Sequence, residues 1–202
     1  MKLLFTGSDV LLLNKFPKQL SKRKLPYVLF YRLMVRLAQY CIEENWVGCD
    51  HLEPELKQFG IRKQIKIFES PLYYDDKYKK KPHKGFNVLY YWHKSEDIEW
   101  SKWIYGYDIY CQIKQLLKSC RFNINFIECT GECNMSDIYP ITDFYLRCNR
   151  HDGNPRIVRE CKIQDIPYYW SYENPNIYQI ITQIIKHATT RLDINRDKLF
   201  VE

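Results

Sequence analysis

Residues 143–160, DFYLRCNRHDGNPRIVRE, hold the side chains best suited to chemistry. The segment leaves an apolar run, turns through polar residues and enters a helical pattern. Asp152-Gly153-Asn154 is turn composition: Asp and Asn bond to nearby backbone, and Gly accepts backbone angles closed to other residues. Pro155 suits the start of a helix, where its missing N–H is no loss. The free N–H groups of a first helical turn, together with the helix dipole, attract anions. Arg150, His151 and Arg156 surround that point with positive or protonatable charge. Glu160 follows Asp152 by eight residues, one to two turns into the helix. A carboxylate there can accept hydrogen bonds from a ribose diol while a diphosphate rests at the helix start. The pattern predicts a nucleotide-diphosphate site. The plainer alternative is an ordinary strand–helix turn with a proline cap.

Such a site needs strands and helices to hold it. Residues 86–92, FNVLYYW, form a nearly continuous apolar run, as a strand covered on both faces would. Residues 107–120 place Ile109, Ile113, Leu116 and Leu117 at helical spacing, and 122–127 read as a strand again. Residues 144–148 predict a strand, 155–163 a helix, 167–170 a short strand and 177–188 a helix. Strand, helix, strand, helix implies right-handed crossovers and a parallel sheet. The expected class is α/β, doubly wound, with ligands beyond the carboxyl ends of the strands.

The first part of the chain is less regular. From Leu25 to Ile42 the pattern predicts a long helix, apolar on one side and basic on the other. A core helix is its plain meaning, and docking on a membrane surface is the alternative. Residues 45–49 and 65–68 are strand candidates, and 52–59 a short helix stopped by Gly60. Residues 70–84, SPLYYDDKYKKKPHK, combine two prolines with dense charge and predict a linker. The expected division is 1–70, a linker at 71–84, and 85–202.

Composition narrows the classes. The chain has 202 residues, 46% hydrophobic and 27% charged, which argues against disorder. No run of about 18 uncharged apolar residues exists, so no membrane span is expected. Asp9 interrupts the apolar N-terminus and no small-residue cleavage pattern follows, so a cytoplasmic chain with free thiols is expected. The net charge of +7 is uneven. Seven basic residues and no acidic one lie between Val10 and Ile42, and Lys77, Lys79, Lys80, Lys81 and Lys84 form a second cluster. Such patches attract phosphates, on nucleic acid, lipid or a nucleotide, when they are more than a solvated face.

With these residues in view, the sequence resembles a known family. Asp152-x7-Glu160 resembles the E-x7-E motif of retaining GT-B glycosyltransferases, with Asp in place of the first Glu. Asp137-Ile138-Tyr139 and the run from Thr142 to Arg147 resemble the approach to that motif, and Ile166 to Ser171 the strand after it. Val88 to Trp92 resembles the first strand of the donor domain, Cys49 to Ile61 the last helix of the acceptor domain, and Phe5 to Val10 a loop of that domain. The resemblance implies a Rossmann-like donor domain after a truncated acceptor-side lobe. It implies transfer of a sugar from a nucleotide-diphospho-sugar, with retention and without a metal. Glu160 would hold the ribose and Asp152 face the sugar, with the Gly153 and Asn154 amides near the donor. Lys94 would neutralise the diphosphate. The acceptor is an unspecified glycan, lipid or protein, and self-association is compatible with the sequence.

Three other classes compete. A non-catalytic nucleotide-sugar-binding subunit would share every donor-site residue. A nucleic-acid binder would use the charge and the 17 Tyr for phosphate contacts and stacking. A zinc module could draw on Cys129, Cys133, Cys148, His151 and Cys161, although their spacing fits no standard knuckle. His93 is a further candidate polar contact, and Trp100 and Trp103 are candidates for stacking.

Overall fold

Apolar runs without polar alternation need cover on both faces, and the longest of them here forms the centre of a parallel sheet. The computed structural model describes residues 2–5, 7–69, 71–74, 76–120, 122–153, 155–171 and 175–199, with side chains described except at 7, 8 and 192–199. The second half of the chain forms β4 (Phe86–Tyr91), β5 (Ile124–Cys129), β6 (Phe144–Leu146) and β7 (Tyr168–Tyr169) in the order β5-β4-β6-β7, all parallel. The first half forms β1 (Lys2–Phe5), β2 (Glu44–Val47) and β3 (Ile65–Ile67), parallel and in sequence order. This is the α/β class expected.

The period of two in a strand sorts the central sheet's side chains. Phe86, Val88 and Tyr90 join one core, with Ile109, Tyr110, Ile113 and Leu117 of α5 (Tyr107–Leu117) and Ile180, Ile184 and Ala188 of α8 (Ile177–Leu199). Leu89 faces the other core, with Met135 of α6 (Met135–Ile138) and Val158 and Cys161 of α7 (Arg156–Ile163). The zinc candidates divide accordingly. Cys148 lies in the first core, Cys129, Cys133 and Cys161 in or against the second. Among the described residues no three His, Cys, Asp or Glu side chains gather as a metal site would need.

In the first half, α1 (Gly7–Asn14) and α3 (Glu53–Phe59) supply Val10, Leu13, Leu56 and Phe59 to a third core. Gly60 ends α3 at φ 102°, the left-handed stop that its position predicts. The segment expected as a loop at 5–10 is instead the end of β1 and the start of α1. Residues 98–104, which carry no clear periodic signal, form α4 (Ile98–Ile104), opened by Asp97 accepting the Trp100 N–H at 3.1 Å. No helix or strand occurs among the described residues of 71–84.

The helix expected at 25–42 is α2 (Leu25–Ala38), and its sidedness differs from expectation. Arg32 donates to the Leu12 carbonyl at 2.8 Å and Arg36 lies over the Phe59 ring, so both cations fold back onto the protein. Val28 and Val35 are buried, while Phe30, Leu33 and Leu37 face outward. Sequence periodicity identified an apolar stripe but not which side of the helix meets the core. Among the described residues no helix is long and apolar enough to cross a membrane.

Candidate functional site

The chain winds from β4 to β5 on one side of the sheet and from β6 to β7 on the other. Between β4 and β6 the winding reverses, and a crevice opens beyond their carboxyl ends. A cavity of about 290 Å³ occupies it. His93 and Ser95 enter from the loop after β4, Trp100, Ser101, Ile104 and Tyr105 from α4 and its end, and Arg147, Asn149, His151 and Asp152 from the loop after β6.

Two contacts fix this geometry. Tyr90 donates its hydroxyl to the Tyr105 carbonyl at 2.9 Å. Gly106, at φ 67°, lets the start of α5 press against the end of β6, where an added Cβ would stand 2.0 Å from the Cys148 carbonyl oxygen. The glycine is required both by its left-handed angle and by that approach.

Arg147 is the buried charge of the cavity wall. Its guanidinium donates to both oxygens of Asp152 and to the Tyr145 hydroxyl, the latter at 3.1 Å. Burial opposes the Arg147 charge, but Asp152 and Tyr145 outweigh it and hold its pKa well above the usual value. Beside this pair, Asn149 Oδ1 and His151 Nδ1 are buried with no hydrogen-bond partner among the described residues. Two buried unpaired polar atoms on residues that line one cavity are costly unless something bonds to them.

The turn also touches the first half of the chain. His151 Nε2 lies 2.8 Å from the Glu55 carboxylate. His51 Nε2 donates to the Asp152 backbone carbonyl at 2.7 Å and stands 3.4 Å from Cys49 Sγ. A neighbouring Cys and His suggest a nucleophile and its base, but burial pushes the Cys49 thiol up to about 12, which keeps it neutral near pH 7.

Of the residues singled out in sequence, Asp152 and His151 line the cavity. Arg150 is turned away from it, donating to both oxygens of Asp108 at 2.9 and 2.6 Å and to the Trp103 carbonyl at 2.7 Å. Its hydrogen bonds hold the Asp108 carboxyl below the usual range. The Gly153 N–H donates to the Asp152 carboxylate at 3.0 Å. Asn154 lies outside the described residues. Pro155 is buried and caps α7, whose first residue is Arg156.

Glu160 is 2% exposed and faces the segment that follows β3. The Tyr139 hydroxyl donates to Oε2 at 2.6 Å, and the Tyr73 backbone N–H donates to Oε1 at 3.1 Å. Arg156 stacks over the Tyr73 ring at 3.6 Å and approaches Glu160 at 4.0 Å. Lys94 is exposed next to His93 and makes no ion pair among the described residues. Sequence reading did not assign Arg147, Asn149, Ser95 or Tyr105 to the site. A usable signal existed for two of them: Arg147 and Asn149 are polar positions directly after the fully buried strand β6.

No family model matches the chain, and no curated protein does. Among solved structures it is similar to TarM, a GT-B glycosyltransferase, with a TM-score of 0.59 at 11% identity. The match covers 92% of this chain and 42% of TarM. The α/β fold with parallel sheets is consistent with a Rossmann-like GT-B fold. This chain spans less than half of TarM's length.

Proposed function

We propose that the chain binds a nucleotide-diphospho-sugar and transfers the sugar to an acceptor with retention of configuration. The supporting observation is the cavity beyond β4 and β6, two of whose lining residues, Asn149 and His151, each hold a buried polar atom without a partner. Sugar hydroxyls are donors of the size and polarity that such atoms need. The GT-B likeness to TarM supports sugar transfer as the general class.

In this reading the sugar lies between Asp152 and the Trp100 side of the cavity. Asp152, fixed by Arg147, presents a carboxylate held in one orientation. The chief barrier is departure of the diphosphate, and a cation aimed at the growing charge lowers it. Lys94 is free to supply that cation. Glu160 grips the ribose once the Tyr73 N–H gives up its place on Oε1, so donor binding displaces the segment around Tyr73.

A non-catalytic nucleotide-sugar-binding subunit is the second reading. It is favoured by the internal saturation of both acidic residues, Asp152 by Arg147 and Glu160 by Tyr139 and Tyr73.

Calorimetry against UDP-, GDP- and ADP-sugars tests both readings. One donor should bind, with affinity at least about tenfold weaker in Asn149→Ala, because a buried hydrogen bond is lost. Absence of binding across the panel would remove the donor site. Release of free nucleotide or a glycosylated product separates the enzyme from the binding subunit.

A further inference from the structure

We propose that the outward face of α2 rests on an anionic lipid bilayer. The inference is independent of the sugar site. Along α2, Pro26, Phe30, Leu33 and Leu37 recur at the spacing of a single helical stripe, opposite the buried Val28 and Val35. Phe30 is 60% exposed, Leu33 52% and Leu37 49%. Leu29 and Met34 widen the stripe. A helix apolar on its outer face as well as its inner one needs a second apolar partner.

Charge identifies that partner. No acidic residue lies between Val10 and Ile42. Lys22 and Arg23 sit in the short turn directly before α2 and, with Lys15 and Lys18, make no ion pair among the described residues. At the other end of the helix, Leu37, Tyr40 and Phe59 wall a groove of about 630 Å³ that Arg62 and Lys63 also line, the Lys63 ammonium donating to the Ile42 carbonyl. Apolar side chains between two sets of cations match acyl chains beneath phosphate headgroups. A second copy docking the same face would bring like charges together in a two-fold contact.

Sedimentation with vesicles tests this. The full chain should pellet with phosphatidylglycerol-rich vesicles, stay in solution with phosphatidylcholine alone, and be released by about 1 M salt. Phe30→Ser combined with Leu33→Ser should weaken partitioning by about tenfold or more, with an unchanged melting midpoint because both side chains are already exposed. Lys22→Glu with Arg23→Glu should lose at least about fivefold per charge. The proposal fails if the wild-type chain ignores anionic vesicles, or if both variants bind as it does. It also fails if the apolar variant instead dissolves a concentration-dependent dimer, which would assign the face to a second copy.

Discussion

Arg147 and Asp152 meet in the cavity wall as a two-point guanidinium–carboxylate pair, one of its bonds 2.9 Å long. Both side chains are about nine-tenths buried, so water can replace little of what each charge gains from its partner. Asp152→Ala should therefore cost about 3–5 kcal/mol in urea denaturation, because it strands a buried cation. Replacing both residues with apolar ones of similar size should restore much of that loss. A single substitution costing under about 1 kcal/mol would show the pair to be hydrated.

Gly106 presses on the Cys148 carbonyl, so Gly106→Ala should be among the most damaging small changes in the chain. The left-handed angle and the collision add, to at least about 2 kcal/mol. The same substitution at Gly60, which has open space around its missing Cβ, meets only the angle. Its thermal midpoint should fall less.

Tyr139 supplies the shortest hydrogen bond to Glu160, and burial followed by that carboxylate keeps its hydroxyl protonated far above its ordinary range. Tyr139→Phe leaves Glu160 buried with one fewer donor. The expected loss is about 1–3 kcal/mol, read by chemical denaturation. Loosening around Tyr73 should appear with it as faster amide exchange.

His83 answers to pH. Arg191 donates to its Nε2 at 2.8 Å, which requires an unprotonated nitrogen. Burial, then Arg191 and Lys80, hold the His83 pKa below 6.5. Above the unfolded value both states are neutral there. As pH falls below about 6.5 the unfolded chain takes up the proton first, and stability declines. Guanidinium denaturation at about pH 7.5 and 5.5 should show a shallower decline for His83→Gln. His187, also lowered by burial and then Lys186, keeps part of the slope.

The C-terminal sheet was legible because its strands are covered on both faces: Phe86 to Tyr91 and Phe144 to Leu146 are almost wholly apolar. The turn with Asp152 and His151 was legible from its Asp, Gly and Pro. Other features depended on distant partners. α4 shows no apolar period because Trp100, Ser101 and Ile104 are held by a cavity wall. The surroundings of Glu160 come from Tyr139 and Tyr73, 21 and 87 residues away in sequence. The outward turn of α2 was hidden because a helix with apolar residues around most of its circumference does not announce which of them face solvent.

The neighbours His151 and Asp152 are each tethered to the chain's first half, one through Glu55 and the other through His51. Spreading the two halves apart would tug both tethers at once and shift the pocket wall they end on.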